Sequence, residues 1–462
     1  RRVFPENSFP ALTFAPGVPI MDINSPQGQP NNKAGQEFSA WAERPMRIPF
    51  GLFLFSRRCT TQTERRILML VLKNCRLIPA LTEGYDLPAA DLVLDGELIA
   101  DIRPAGGSYE DAPVLDMAGK TVLPGLFDLH THLHSLSGNL MENQLKDFGT
   151  SCFDTCEYAN TYLKLGYTTV RDMGSNSRCA IAVRNAVQKG QITGPRIYSA
   201  GLMISPKDAG NDAFSLMYNE ADGREAVIGA VREEIAHGCD FVKYMVSGAF
   251  LNEGSVPGNL ITTEEELRTV VDTAAARDKY VAVHCHGTEG IKMSIRAGVH
   301  TIEHATLIDE EGVDMLVGSK DTFLVPTIGI FQFLIDLSKA DSNDWRALKA
   351  KTYLPLLQQS LRTAYKAGLK FGWGTDLDMG SYVENPAQEF LVRRDLIGIS
   401  NIDLLRQATI NSAEIAGAAD MTGSVRIGKY ADLVVIDGNP DEDISVMGKP
   451  RAHVFKGGVH VG

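Results

Sequence analysis

Val122-Leu-Pro-Gly-Leu-Phe-Asp-Leu-His-Thr-His132 is an apolar, strand-like run that ends in two histidines one residue apart. Side chains at i and i+2 of a strand leave the same face, so His130 and His132 offer two imidazoles to one point in space. That is a metal-binding geometry. If the run opens a (β/α)8 barrel, the pair stands at the C-terminal end of its strand, the face on which such barrels keep their chemistry.

Downstream, short apolar runs alternate with longer helical stretches. Strands are predicted at 122–130, 167–171, 196–201, 240–246, 280–284, 300–304, 322–327 and 370–375. The helical stretches between them are 152–165, 178–189, 222–237, 263–278, 288–297, 309–318, 344–368 and 400–417. Eight such alternations point to an α/β fold, a (β/α)8 TIM-like barrel over 121–418. On either side of it the pattern is different. Leu70 to Ile78 and Asp91 to Ile102 read as short strands broken by turn signals, and strands return at 431–437 and 453–459. Pairing the two ends gives a small composite β-sandwich domain from 69–120 and 419–462. Residues 1–68 keep no period, and neither a Met at position 1 nor an n-region, h-region and cleavage-site order is present. They are read as an irregular N-terminal extension.

Composition narrows the function classes. With 44% apolar and 22% charged residues the chain reads as globular, and a net charge of −12 argues against nucleic acid or anionic membranes as partners. A small-molecule substrate is the expectation. Seven cysteines without zinc-finger spacing do not make a disulfide scaffold, so a reducing, cytoplasmic setting is expected. The longest apolar stretch near the start, Pro49 to Phe55, is far below the ~18–20 residues of a membrane span.

Further strand ends carry titratable side chains: Val242-Lys-Tyr-Met245, Val283-His-Cys-His286, Ile302-Glu-His304 and Gly374-Thr-Asp376. Only a closed barrel brings them together. Their order, H-x-H, Lys, His, His, Asp on strands one, four, five, six and eight, resembles the amidohydrolase superfamily. The likeness extends over about 69–462 and is strongest to imidazolonepropionase-like and prolidase-like members, which include Xaa-Pro dipeptidases, basic-residue carboxypeptidases and ochratoxin-type amidases. Gly166-Tyr-Thr-Thr-Val-Arg-Asp172 and Gly428-Lys-Tyr-Ala-Asp-Leu-Val434 support it.

The resemblance implies a binuclear metal-dependent hydrolase that cleaves the amide bond of a small carboxylate-bearing substrate such as a dipeptide or N-acyl amino acid. His130 and His132 would hold one ion, His284 and His304 the other. Lys243 would bridge both as a carboxylated lysine, since an ammonium has no lone pair to donate. Two divalent ions, zinc expected from the imidazole-rich set, would activate water and polarise the scissile carbonyl. Asp376 would contact the first ion, accept the proton of the attacking water and return it to the leaving amine. A cyclic-amide hydrolase or mononuclear deaminase of the same superfamily is the alternative, and a metal-free scaffold protein the remote one. Members of this group commonly assemble, so a homo-oligomer is expected.

The substrate side is thinner. His286 shares a strand face with His284, and the family pattern gives the metal to His284, leaving His286 for substrate or catalysis. Arg171 follows strand two and either meets a substrate carboxylate with its planar fork or pairs with Asp172 or another acid. Tyr244 flanks the lysine as a possible pocket residue, although alternation turns it away from Lys243. By the same rule Cys285 is packing. His134 lies past its strand and reads as a loop residue; His237, His300, His453 and His460 read as structural. Where relatives carry a Gly-Gly-His segment after strand three, this chain has Ile204-Ser-Pro-Lys-Asp-Ala-Gly-Asn-Asp212, so Lys207 or Asn211 is the candidate replacement. Asp378 is a candidate partner for a substrate ammonium, or a loop acid.

Overall fold

The computed structural model of the chain describes residues 69–134, 145–377 and 379–462. The readings of residues 1–68 and of Asp378 lie outside the described residues.

Parallel strands form a ring: Leu126–Thr131, Tyr167–Asp172, Arg196–Ser199, Val242–Met245, Val281–Cys285, Thr301–His304 and Phe323–Val325, with an eighth position at Phe371, which bridges Leu324. Between strands three and four, Asp240 N–H donates to the Ser199 carbonyl at 2.8 Å, and Met203–Ser205 pairs with Lys243 and Tyr244. The ring closes where Leu129 N–H donates to the Trp373 carbonyl at 2.7 Å and Asp376 N–H to the His130 carbonyl at 2.9 Å. Helices follow the strands at Phe148–Lys164, Cys179–Gln188, Arg224–Ala236, Glu264–Ala275, Thr288–Ala297, Glu310–Gly318, Trp345–Lys366 and 401–415. Their starts are written in the sequence. Thr263 and Glu266 form a reciprocal capping box, and Asp147, Asp309 and Ser400 each accept a first-turn N–H, contacts worth about 1 kcal/mol apiece. Two insertions were not expected from periodicity, Gly329–Asp336 after strand seven and 388–397 before the last helix.

The strand expected at 122–130 is two strands. Thr121–Pro124 pairs with Met69–Leu77 and Leu433–Ile436 in an eight-stranded sheet built from both chain ends, whereas Leu126–Thr131 opens the barrel. Pro124 lacks the N–H a ladder needs. A Cβ on Gly125 would stand 2.0 Å from Thr168 Oγ1, so only glycine lets the chain step from one sheet to the other at this approach. The terminal sheet has its own apolar core of Leu72, Leu92, Leu94, Ile99, Val122, Val435 and Phe455. No helix among the described residues is long and apolar enough to cross a membrane.

Candidate metal centre

Two groups of side chains meet at the C-terminal ends of the barrel strands. In one, His130, His132 and Asp376 each place a ligand atom within 4.8 Å of the others; in the second, His284, His286 and His304 do the same. The groups adjoin, with ring centroids of His130 and His304 4.7 Å apart. Lys243 is 1% exposed, and its charge is among the causes that depress the pKa of all five histidines.

Burial is the largest influence on every one of these groups. It holds His130, His284 and His304 well below the ordinary imidazole value and takes His132 to about 4 and His286 to about 3. At neutral pH the imidazoles therefore carry lone pairs rather than charges, the state a metal ligand requires. Burial also lowers the Lys243 amine to about 8, against the opposing pull of Glu303 and Asp376. It raises Asp376 to about 7, with Lys243 opposing and Asp128 and Glu303 reinforcing.

Second contacts orient the rings. His130 Nδ1 lies 2.9 Å from Glu303 Oε2, and His132 Nδ1 2.7 Å from the Gly174 carbonyl. Both acceptors lack a proton to give, so each Nδ1 is the protonated nitrogen and each Nε2 keeps its lone pair. Those Nε2 atoms stand 3.7 and 3.5 Å from Asp376 Oδ1. In the second group His284 Nε2 meets the Gly248 carbonyl at 3.2 Å, leaving Nδ1 free, 2.9 Å from His304 Nε2. His304 Nδ1 in turn reaches Thr327 Oγ1 at 2.7 Å. Two nitrogens each about 2.0–2.1 Å from one zinc ion stand roughly 2.9–3.4 Å apart. The His284–His304 pair falls within that range, and the 3.5 and 3.7 Å separations of the first group lie just above it, so the donor chemistry suits divalent cations at both.

Backbone conformation is unusual at the same places. His304, Ala305 and Asp376 have φ of 67°, 50° and 57°, in the left-handed region where side-chain-bearing residues are uncommon and concentrate at functional sites. Asp128 helps to hold the last of these: it accepts the Thr375 hydroxyl at 2.6 Å and the N–H groups of His130 and Thr375 at 3.1 and 3.2 Å.

Two expected substrate contacts are corrected. Arg171 is fully buried beneath the centre, where Nη2 donates to Glu303 at 2.8 Å, Nε to the Leu129 carbonyl at 2.6 Å and Nη1 to Thr301 at 3.1 Å. It points into the closed barrel interior rather than at the mouth. Of its two readings, pairing with an acid is the one observed, and the acid is Glu303. Asp172 instead accepts Leu133 N–H and the Ser199 hydroxyl. Tyr244 faces away from Lys243, buried in the core outside the strands, its hydroxyl 2.7 Å from Thr262 Oγ1.

The remaining candidates separate cleanly. His286 joins the second group, its ring stacked on His304 at 4.6 Å, with Nδ1 2.8 Å from Thr306 Oγ1. His134 is buried, its ring 5.8 Å from His132, and neither nitrogen finds a hydrogen-bond partner among the described residues. Asn211 is engaged within its loop, donating to Glu220 and Pro206 and accepting from Asn252, while Lys207 is exposed. Cys285 packs in the core. Sequence reasoning missed Glu303 and Asp128. Period two offered a signal for Asp128, which shares a strand face with His130; for Glu303 it offered none, because alternation gives the inward place to its neighbour His304.

A model of the amidohydrolase family matches residues 121–461. The ochratoxinase of Aspergillus niger is 30% identical over 423 residues, an alignment covering 83% of this chain and 84% of that protein. Among solved structures, a Xaa-Pro dipeptidase with methionine bound in its active site superposes with a TM-score of 0.76 at 31% identity, covering 85% of this chain and 99% of that one. A prolidase complexed with N-methylphosphonate-L-proline gives 0.75 at 30% identity, with the same coverage.

Proposed function

Because the chain belongs to the amidohydrolase family, we propose that it is a binuclear metal-dependent hydrolase cleaving the amide bond of a small carboxylate-bearing substrate, a dipeptide or an N-acyl amino acid. The observation that carries this reading is the adjacency of two ligand groups, one wholly buried and one opening partly to solvent, beside a buried lysine. His130, His132 and Asp376 would hold one divalent ion, His284 and His304 a second, with Lys243 shared as its carbamate and zinc the expected metal. When bound, such ions supply Lewis acidity and a more acidic attacking water.

The chain's own groups divide the remaining work. The Lys243 nitrogen, its pKa lowered to about 8 by burial, is partly a free amine near neutrality. It can therefore form an N–C bond with carbon dioxide and release one proton, giving a carbamate whose two oxygens share a single negative charge. Asp376, raised to about 7, can take a proton at its carboxylate and return it to the departing amine nitrogen. His286, neutral and part of the second group, would contact the substrate. The dipeptide assignment rests on the Xaa-Pro dipeptidase and prolidase among the similar structures.

The test is a metal-loaded chain presented with Xaa-Pro, Xaa-Arg and Xaa-Lys dipeptides and N-acyl amino acids. Turnover of at least one class is expected, lost on chelation and restored by zinc, with close to two ions per chain. One ion per chain together with deamination or opening of a cyclic amide would favour the alternative reading; no turnover anywhere in the panel refutes the amide reading.

A further inference from the structure

We propose that Glu303 is the positioning residue that fixes His130 as a ligand, and that Arg171 locks Glu303 into that role. This rests on the metal-centre reading above.

The three side chains are wholly buried and share one set of contacts. Glu303 Oε2 lies 2.9 Å from His130 Nδ1, while Oε1 accepts Arg171 Nη2 at 2.8 Å and the Thr301 hydroxyl at 2.5 Å. Arg171 is itself held by the carbonyl of Leu129, the residue before His130, at 2.6 Å, and its guanidinium lies over Phe241 at 5.4 Å. The carboxylate therefore cannot turn away from His130 without breaking contacts to three barrel strands.

The chemistry of the acceptors singles this contact out. His132 and His284 are oriented by backbone carbonyls, and His286 and His304 by threonine hydroxyls. Among the described residues, only His130 of the five takes its orienting contact from a carboxylate. A hydroxyl accepts or donates and leaves either tautomer open, whereas a carboxylate accepts only, so Nδ1 must carry the proton and the lone pair stays on Nε2. An anionic partner also makes the ring a stronger donor to a cation.

Glu303 serves a second purpose through its place in the chain. Strand alternation should turn Glu303 and His304 to opposite faces. The left-handed backbone at His304, φ 67°, instead returns His304 to the inside, where it joins the second group. One strand end thus supplies a ligand to one group and the orienting carboxylate to the other. If the trio were only a buried ion pair, it would stabilise the barrel little, because desolvation offsets most of the attraction. Satisfying Arg171 also does not require Oε2 to face His130.

The experiment compares the full chain with its Glu303→Gln and Glu303→Asp variants. Gln fills the same space but offers one acceptor oxygen to two N–H donors; Asp keeps the charge but is a methylene shorter. Each protein is stripped of metal, checked for folding by circular dichroism, and titrated with cobalt(II) and zinc against a chromophoric chelator, with the cobalt visible spectrum recorded. We expect about 10–100-fold weaker binding at one of two sites, the other within about twofold, and an altered cobalt spectrum. Unchanged affinity at both sites in both variants overturns the proposal. Equal weakening at both sites overturns it too, as does failure of both variants to fold, which would assign the trio to barrel stability. A wild-type chain that binds no ion removes the metal-centre reading itself, and this inference with it.

Discussion

Replacing Lys243 by methionine, similar in length and uncharged, separates the electrostatic cost of this residue from its use. In the metal-free chain burial takes the amine from 10.5 to about 8. Below about pH 8 both folded and unfolded chains hold the proton, and the folded chain bears the whole cost of burying it. Between pH 8 and 10.5 the unfolded chain binds a proton that the folded chain has lost, so stability rises with pH; above 10.5 the cost is gone. At 1.36 kcal/mol per unit the difference amounts to about 3 kcal/mol. The stability of metal-free Lys243→Met relative to wild type should therefore fall as pH rises from 8 to 10.5, by an amount on the order of 3 kcal/mol, read by urea denaturation at each pH. Loaded with zinc, the same variant should hold at least one ion fewer per chain by elemental analysis and lose nearly all amide hydrolysis. A stability gap that does not move with pH refutes the burial argument; two bound ions with undiminished turnover refute the carbamate bridge. The two halves are linked, since at pH 7.5 about a quarter of an amine with pKa 8 is free to react, against about one in a thousand at 10.5.

Asp376→Asn should lower kcat by about 10²–10⁴ in steady-state assays, the range for loss of a proton-transfer group. Because the folded carboxyl is raised from 3.8 to about 7, metal-free wild type should lose stability relative to this variant as pH rises from 4 to 7, and a flat difference would contradict the shift. Tyr244→Phe removes a hydroxyl that meets Thr262 away from the centre, so kcat/KM should stay within about twofold while denaturation shows a loss of about 1 kcal/mol. A large drop in kcat/KM would restore Tyr244 to the pocket. Gly174→Ala puts a Cβ 2.6 Å from Met203 Cγ at a φ of 140°, and the carbonyl that orients His132 belongs to the same residue. It should lose about 1–3 kcal/mol of stability and bind zinc more weakly; unaltered zinc affinity would show that the carbonyl does not hold the ring.

Much of this was legible because strand periodicity is a local property. His130 with His132, and His284 with His286, follow from i, i+2 spacing at the ends of apolar runs. What the sequence left dark depends on geometry between elements. Val122 to Leu129 is continuous in hydropathy yet crosses from one sheet to another at Gly125, a step that depends on how close Thr168 lies. Arg171 ends a predicted strand, a position that leaves both a substrate contact and an ion pair open; depth within a barrel depends on the stagger of strands, which no single run encodes. Glu303 was hidden by its neighbour: alternation excludes two successive inward side chains, and only the left-handed turn at His304 permits them.

The orienting contacts form a circuit around the ring. His130 on strand one is held from strand six by Glu303, and His132 from beyond strand two by Gly174. His284 and His286 on strand five are held from beyond strands four and six by Gly248 and Thr306. His304 on strand six is held from beyond strand seven by Thr327. Among the described residues, none of these five imidazoles takes its orienting contact from its own strand. The convergence of these imidazoles is therefore a property of the closed barrel, and an unfolded chain retains neither the tautomers nor the convergence. Ions that bind only that closed state stabilise it in proportion to their affinity. The left-handed residues at His304, Ala305 and Asp376, each costing on the order of 1–2 kcal/mol, fit this arrangement: strain placed where the strands meet is offset only when every neighbouring strand is in register.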